Sequence, residues 1–314
     1  MKHQSSYLRL ALPKGRLLPS TASLLKEASL GFESYDDKTR RYRLRSTRFS
    51  HLSAKVFQEK DIPIQVAVGN YDLGICGLDW VEELVTRYPA SALAKISGLD
   101  YGQGSIYVAA DCQSGISSLD DLIVKQNNWR VVSEYPNLSQ DFALSLRLKA
   151  FKIFPVWGAA EVYPPEDADL AVLWARNESE VEAKGLLPLR NLLPVNAFLI
   201  ANRESLKNKD LSQMLNCLSP KFASGKRVSV YSEPSSRRYT PISHSQLRAK
   251  EVKLALPDGH QQLPTSRFLK QAGLNLQGYF GKVLNRRPSV DLDWLDIKVI
   301  RPQDMPSQVA NGNF

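Results

Sequence analysis

A bilobal α/β architecture with two mixed, mostly parallel sheets is the expectation this sequence raises, on three observations. Short apolar runs bounded by Pro, Gly or Asp alternate with helix-period segments as far as Leu218, the pattern of strand–helix–strand units. The apolar run Asn196–Ala201 and the helical stretch after it come late, as expected if the chain leaves a first lobe, builds a second and returns. That double crossing makes a hinge and a cleft, the usual place for a small ligand. Finally, the opening recurs. Leu8-Arg9-Leu10-Ala11-Leu12-Pro13-Lys14-Gly15 returns as Val252-Lys253-Leu254-Ala255-Leu256-Pro257-Asp258-Gly259, and Lys55-Val56 with Asp61-Ile62-Pro63 returns as Lys298-Val299 with Asp304-Met305-Pro306 and on to Asn313. Self-similarity in order, spacing and residue type constrains architecture ahead of finer signals.

Each element follows from local pattern. Leu8–Leu12 is an apolar run stopped by Pro13 and reads as a buried strand. A turn at Pro13–Arg16 leads into a helix over Leu18–Ala28, with Leu24, Leu25 and Ala28 on one face and Ser20 near its start. The basic stretch Tyr35–Ser50 reads as a solvent-facing hairpin, and Ala54–Gln58 as a strand. Asp61 as N-cap, Pro63 in the first turn and Gly69 at the end delimit a helix. Asp72–Cys76 is a buried strand, and Asp79 caps a helix that runs to Arg87 before Pro89. The second block has expected strands at Ser105–Ala110, Arg130–Ser133, Lys152–Val156 and Leu170–Leu173. Its helices are Ser118–Lys125, Leu138–Lys149 capped by Asn137, and Ser179–Lys184 closed by Gly185. Strand Asn196–Ala201 and helix Leu206–Leu218 complete the first lobe. The division is therefore 1–98 with 196–225 as lobe I, 99–195 as lobe II, a Ser/Pro linker at 226–250, and an incomplete second copy of lobe I at 251–314 that breaks off opposite Tyr71.

Composition narrows the function classes. Hydrophobic residues at 43% and charged residues at 23% of 314 are ordinary for a globular protein. No apolar run approaches the ~20 residues of a membrane span, and Met1–Tyr7 lacks the apolar stretch of a secretory leader, so a cytoplasmic location is expected. Cys76, Cys112 and Cys217 are far apart and read as free thiols, and His3, His51, His244 and His260 have no metal-ligand spacing. A net charge of +9 suits phosphate-bearing ligands or nucleic acid, or is simply a solvated basic surface. The linker holds five of those excess charges, with Lys226, Arg227, Arg237, Arg238, Arg248 and Lys250 against Glu233 alone.

Leu10-Ala11-Leu12-Pro13-Lys14-Gly15-Arg16, and Asp61-Ile62-Pro63 leading to Asp72-Leu73-Gly74-Ile75-Cys76-Gly77, resemble the ATP phosphoribosyltransferase family. Ser133-Glu134-Tyr135-Pro136-Asn137 is similar to a family segment that often has Lys where Glu134 stands, and Asn196–Leu206 resembles the closing strand and helix. The resemblance covers about Leu8–Leu218. It implies a fold like type II periplasmic binding proteins, and the first step of histidine biosynthesis. In that reaction N1 of ATP attacks the anomeric carbon of phosphoribosyl pyrophosphate, and Mg²⁺-bound pyrophosphate leaves. It further implies ATP and phosphoribosyl pyrophosphate as ligands, Mg²⁺ carried with the latter, a homo-oligomer, and a separate regulatory subunit as partner. Contact residues by the resemblance are Lys14, Gly15, Arg16, Asp72 and Glu161, with Arg176, Asn177 and Ser179 in the phosphate loop. A Lys point charge and an Arg fork suit phosphate oxygens, though both also fit a solvated turn. Asp72 reads equally as a buried turn-capping carboxylate, and Glu161 as a helix cap.

One motif departs from the family. The flanks of its phosphate loop are present at Gly158, Glu161, Pro164, Ala168-Asp169 and Gly185-Leu186. Between them, Leu173 stands at the loop's acidic position, and Arg176-Asn177-Glu178-Ser179-Glu180-Val181 replace an expected Ser-Thr-Gly-Thr-Thr-Leu. Bare N–H groups, hydroxyls and close backbone approach at a Gly are what such a loop offers a phosphate. Glu178 and Glu180 instead bring carboxylates, each repelling a phosphate charge at ~4 Å by ~4 kcal/mol at an effective dielectric of ~20. Weak or absent phosphoribosyl pyrophosphate binding by 1–225 is expected. The alternative to a transferase is a non-catalytic paralogue that binds a nucleotide or amino-acid effector, or acts as a regulatory partner. A solute-binding protein of the same fold and a nucleic-acid binder are the weaker readings.

Overall fold

The computed structural model describes residues 7–36, 41–125, 127–219, 252–279, 285–310 and 314. The expected linker 226–250 and the last residues of the expected repeat, Asn311–Asn313, lie outside the described residues. In chain order the elements are β1 Leu8–Pro13, α1 Leu18–Glu27, β2 Arg43–Arg45, β3 Leu52–Phe57, α2 Ile62–Ala67, β4 Leu73–Gly77, α3 Leu78–Arg87, β5 Leu93–Gly98, β6 Gly104–Asp111, α4 Leu119–Val124 and β7 Asn128–Ser133. There follow α5 Pro136–Ser145, β8 Ala150–Pro155, β9 Leu170–Ala175, α6 Glu178–Glu182, β10 Leu186–Val195, β11 Ala197–Asn202, α7 Arg203–Asn208 and α8 Ser212–Leu218. The tail contains β12 Val252–Pro257, α9 Gln262–Gln271, β13 Leu295–Ile300 and α10 Met305–Ala310. The chain divides into two compact units, Met1–Ile106 with Leu192–Pro234 and Tyr107–Asn191 with Ser235–Phe314.

The first unit is built on a six-stranded mixed sheet in the order β2-β3-β1-β4-β11-β5. β1 lies parallel to β3 and β4, β2 is antiparallel to β3, and β11 is antiparallel to both β4 and β5. Alternation along β1 sends Leu8, Leu10 and Leu12 into one core with Leu24 and Leu25 of α1 and Met214 and Leu218 of α8. Each such side chain contributes roughly 1.5–3 kcal/mol of burial. Gly74 in β4 is what lets α2 close on the sheet: a Cβ there would sit 2.8 Å from Ile62 Cγ2 and 2.9 Å from Val66 Cγ2.

The second unit carries a five-stranded sheet, β10-β6-β9-β7-β8, with β7 parallel to β8 and β9. Tyr107, Ala109, Val132, Ala171, Leu173 and Val181 share its core with Ala255 and Ile300 of the tail. The tail strands β12 and β13 pair in parallel, Val252 opposite Leu295 and Pro257 opposite Ile300, as β1 and β3 pair Leu8 with Leu52 and Pro13 with Phe57. The likeness reaches single hydrogen bonds. Tyr35 Oη donates to the Pro13 carbonyl, and Tyr279 Oη to the Pro257 carbonyl at 2.7 Å. Leu30 N–H donates to Leu25 O and Leu274 N–H to Leu269 O, each at the end of its helix.

Several elements differ from expectation, each for a physical reason. The region around Tyr35 is no free hairpin: Tyr35 and Leu44 are buried, and β2 pairs with β3. Asp61 does not cap α2 through its side chain, because its backbone is already helical and a tight turn at Glu59–Asp61 leads in. Asp79 lies inside α3, whose N-cap is Gly77. α5 starts on Pro136 rather than on an Asn137 cap and stops at Ser145, ahead of Arg147 at φ +55°. α6 is capped by Asn177, not begun at Ser179. The single helix expected over Leu206–Leu218 is two, α7 and α8, broken where Lys209 turns extended. Strands β5 and β10 were not foreseen. β10 contains Pro188 and Pro194, and it is an edge strand, where a missing N–H is tolerated.

Candidate functional site

The basic turn after β1 is held at both ends. Lys14 N–H donates to Phe57 O at 2.8 Å, which ties the turn to the end of β3, and Leu18 N–H donates to Gly15 O at the start of α1. Gly15 sits at φ +82°, a left-handed conformation that costs other residues strain. Arg16 turns inward rather than to solvent, and its side chain is 25% exposed. Its Nη2 lies 3.0 Å from Glu59 Oε2 and 3.4 Å from Asp79 Oδ2, both carboxylates being buried. Gly77 makes room for this arrangement: a Cβ on it would fall 2.0 Å from Asp79 Oδ1 and 2.8 Å from Arg16 Nη2. Burial pushes the Glu59 carboxyl above its ordinary 4.5, against the pull of the Arg16 charge and hydrogen bond. One guanidinium therefore faces two acids, and Lys14, with Nζ 5.7 Å from the Tyr42 ring centroid, supplies the turn's other cation.

Asp72 is held from several sides within the first unit. It is fully buried and accepts from Arg9 N–H at 2.8 Å and Ser205 Oγ at 2.7 Å, with Lys209 Nζ at 2.8 Å. These contacts stitch β1 to α7 and account for the break before α8: Lys209 leaves the helix to reach the carboxylate. The Asp72 oxygens are engaged inside the protein.

In the second unit, the loop after β9 is closed by its own side chains. Asn177 Oδ1 accepts the Glu180 N–H at 3.0 Å, and Glu180 Oε2 accepts the Arg176 N–H at 3.0 Å. The Arg176 side chain is 80% exposed, with Nε 4.0 Å from the Glu180 carboxylate, and Glu178 and Ser179 face solvent. Leu173 is buried in the core. Glu161 lies half-buried in the short turn Ala160–Val162, entered through Ala159 at φ +59°. It makes no hydrogen bond with a described residue, and its charge helps raise the Tyr163 phenol, for which burial is the main cause.

Thus Lys14, Gly15 and Arg16 come together with Glu59, Asp79 and Gly77 in one unit, and Arg176, Asn177 and Ser179 with Glu180 in the other. The sequence reading missed Glu59, and took Asp79 for a helix cap. No spacing rule connects either to Arg16, because the pairing spans 43 and 63 residues. Among the described residues no group of three or more His, Cys, Asp or Glu could hold a metal ion. Nor is any described helix long and apolar enough to cross a membrane.

A family model described as HisG: ATP phosphoribosyltransferase matches residues 58–220, more than half of the chain. The chain belongs to the ATP phosphoribosyltransferase family. An ATP phosphoribosyltransferase of Caldicellulosiruptor bescii is 30% identical over 205 residues, 64% of this chain and 92% of that protein. One from Pyrobaculum aerophilum is 30% identical over 234 residues, 73% of this chain and 78% of its own length. Among solved structures, the ATP phosphoribosyl transferase (HisG:HisZ) complex from Thermotoga maritima has a chain that matches with a TM-score of 0.55 at 21% identity, covering 68% of this chain and 97% of that one. The fold is accordingly that of the family, mixed-sheet α/β in kind.

Proposed function

We propose that this chain keeps the frame of an ATP phosphoribosyltransferase while its residues 8–218 bind phosphoribosyl pyrophosphate poorly and do not transfer the phosphoribosyl group efficiently. The observation that carries this reading is the Glu180 carboxylate on the Arg176 N–H. A phosphate seated at a helix start needs bare backbone donors and the positive end of the peptide dipoles. Here one donor is taken by a carboxylate and another by Asn177, and any phosphate that entered would meet two acids. The turn at Lys14 and Arg16 supports the same reading, since Arg16 is already paired with Glu59 and Asp79. By resemblance to the family, ATP and Mg²⁺-phosphoribosyl pyrophosphate would be the ligands of these residues, with the metal entering as part of that substrate. Lys14 and Arg16 would hold phosphate oxygens and steady the leaving pyrophosphate.

Titration calorimetry with phosphoribosyl pyrophosphate and Mg²⁺ tests the reading. The unchanged chain should show no micromolar binding and no phosphoribosyl-ATP formation when ATP is added. The double variant Glu178→Gly, Glu180→Thr should bind at least about tenfold more tightly, a difference of about 1.4 kcal/mol. Micromolar binding with turnover by the unchanged chain would return it to the active transferases. A second reading, a non-catalytic partner subunit, is favoured by the same closed loop. It predicts that the chain changes the activity of an intact family member when the two are mixed.

A further inference from the structure

Glu59 takes two donors at the Arg16 turn. Its Oε2 lies 3.0 Å from Arg16 Nη2, and its carboxylate also accepts the Leu17 N–H. A guanidinium and a backbone N–H are donors that a phosphate oxygen would use. Here a side chain of the same protein uses them, from the tight turn Glu59–Asp61 that follows β3.

The two acids around Arg16 are not equivalent. Asp79 is built into α3, its side chain only 1% exposed in the space that Gly77 leaves, and it stands 3.4 Å from the guanidinium. Glu59 is nearer and keeps 9% of its side chain exposed. Burial opposes the Glu59 charge more strongly than Arg16 favours it, so the carboxyl is raised above 4.5. Its charged form is thus held against its surroundings, and of the two contacts with Arg16 it is the one that yields to a competing anion.

Strand register supplies an internal control. Pro13 pairs with Phe57, and Pro257 with Ile300. Counting on from those pairs, the tail has His260 where Arg16 stands and Pro302 where Glu59 stands. The arginine and the acid are absent together, yet the tail keeps a left-handed Gly259 and a short helical turn at Gly259–Gln261. The pair is therefore not what folds the turn, and Glu59 serves the arginine.

We propose that Glu59 is a specificity-determining residue of the Arg16 turn, an internal anion that keeps pyrophosphate-bearing ligands off the guanidinium. Arg16 enters here as the phosphate contact of the function proposed above. The Arg176–Val181 loop plays no part, since bare pyrophosphate has no sugar phosphate for that loop to hold.

Titration calorimetry of the full chain with inorganic pyrophosphate, without added divalent metal, tests this. Glu59→Gln keeps the side chain's size and removes its charge. It should bind about tenfold more tightly than the unchanged chain, the scale of one hydrogen bond between charged groups. Adding Arg16→Met should abolish the gain. Glu82→Gln makes the same change in net charge elsewhere in the unit and should leave the affinity as it was. Glu59→Pro, which copies the tail, repeats the measurement should the first variant fold poorly, and amide exchange in β1 and β3 reports on the fold of each. Parallel titrations with ATP and with phosphoribosyl pyrophosphate identify the source of the group, and at least one of them should share the gain. Phosphoribosyl pyrophosphate binding by the unchanged chain bears on the loop alone; the pyrophosphate series bears on Glu59. The proposal is overturned by an unchanged affinity in both Glu59 variants, or by a gain that survives Arg16→Met. An equal gain in Glu82→Gln, or a gain for pyrophosphate that neither substrate shares, overturns it as well.

Discussion

The opening segment of the first unit and the tail each pair two strands in parallel, Leu8 with Leu52 and Val252 with Leu295, and they differ in what their charges touch. In the opening segment one cation, Arg16, is held by two acids, Glu59 and Asp79. In the tail the polarity is reversed: Asp258, beside the equivalent turn glycine, is buried against Arg286 at 2.7 Å and Arg301 at 3.1 Å. Gly15 and Gly259 are both left-handed, at φ +82° and +67°. The turn thus depends on Pro, Gly and the apolar face, and is indifferent to the sign of the charge it presents. The same contrast holds on the sheet face, where Lys55 lies in an open groove and Lys298 is sealed against Asp167.

The contrast is sharpest at that lysine pair. Lys298→Met leaves Asp167 buried without its nearest cation, and breaking a buried pair from one side costs about 3–5 kcal/mol. Lys55→Met, at a surface without such a partner, should stay within about 0.5 kcal/mol. Denaturant unfolding followed by hydrogen exchange in β12 and β13 reads both. Equal losses would mean that the two faces are not distinct. A smaller effect is expected at Gly77→Ala, whose Cβ would fall 2.0 Å from Asp79 Oδ1. Overpacking of this kind costs about 1–3 kcal/mol, and the change should melt the first unit while leaving exchange in the tail unaltered.

The smallest effects are in pH, and the two regions carry opposite signs. Burial opposes ionisation of Glu166, but the Arg287 hydrogen bonds and the Lys298 charge outweigh it and hold its carboxyl at about 2, below the ordinary 4.5. Its contribution to tail seating is therefore complete above pH 4.5 and is lost as pH falls toward 2. With 40% of its side chain exposed, solvent screening keeps this modest. Glu59 has the reverse shift, raised above 4.5 mainly by burial. Its contribution is complete below 4.5 and is lost as pH rises through its higher folded value. Amide exchange across a pH series should show the tail loosening in acid before the Arg16 turn does. Simultaneous loosening would erase the distinction.

Much of the fold was legible where a strand is central and apolar. β1, β4 and β9 are short, mostly apolar runs with a Pro, Gly or Asp boundary, and β11 is one closed by Asn202. α4 was legible through Ser118 and Asp121, which form a capping box. Edge strands were not legible. β5 is half-polar and β10 carries two prolines, because an edge has one open side and places few demands on its residues. At the candidate site, the acidic character of Arg176–Val181, with Glu178 and Glu180, was visible in the sequence. The pairing of Arg16 with Glu59 and Asp79, and of Lys298 with Glu166 and Asp167, was not, since charge pairs carry no periodicity along a chain.

Apolar spacing, proline and glycine were enough to set the α/β class, the recurring turn and the kinship with ATP phosphoribosyltransferases. Those features act over a few residues, so a linear reading recovers them. Which charges are sealed and which face solvent depended on segments far apart in the chain meeting in space. Folding alone assigned Arg16 to two acids, Asp72 to an internal anchor, and Lys298 to Asp167, 131 residues away. Electrostatic partners are chosen by distance and burial, and neither is written in the order of residues.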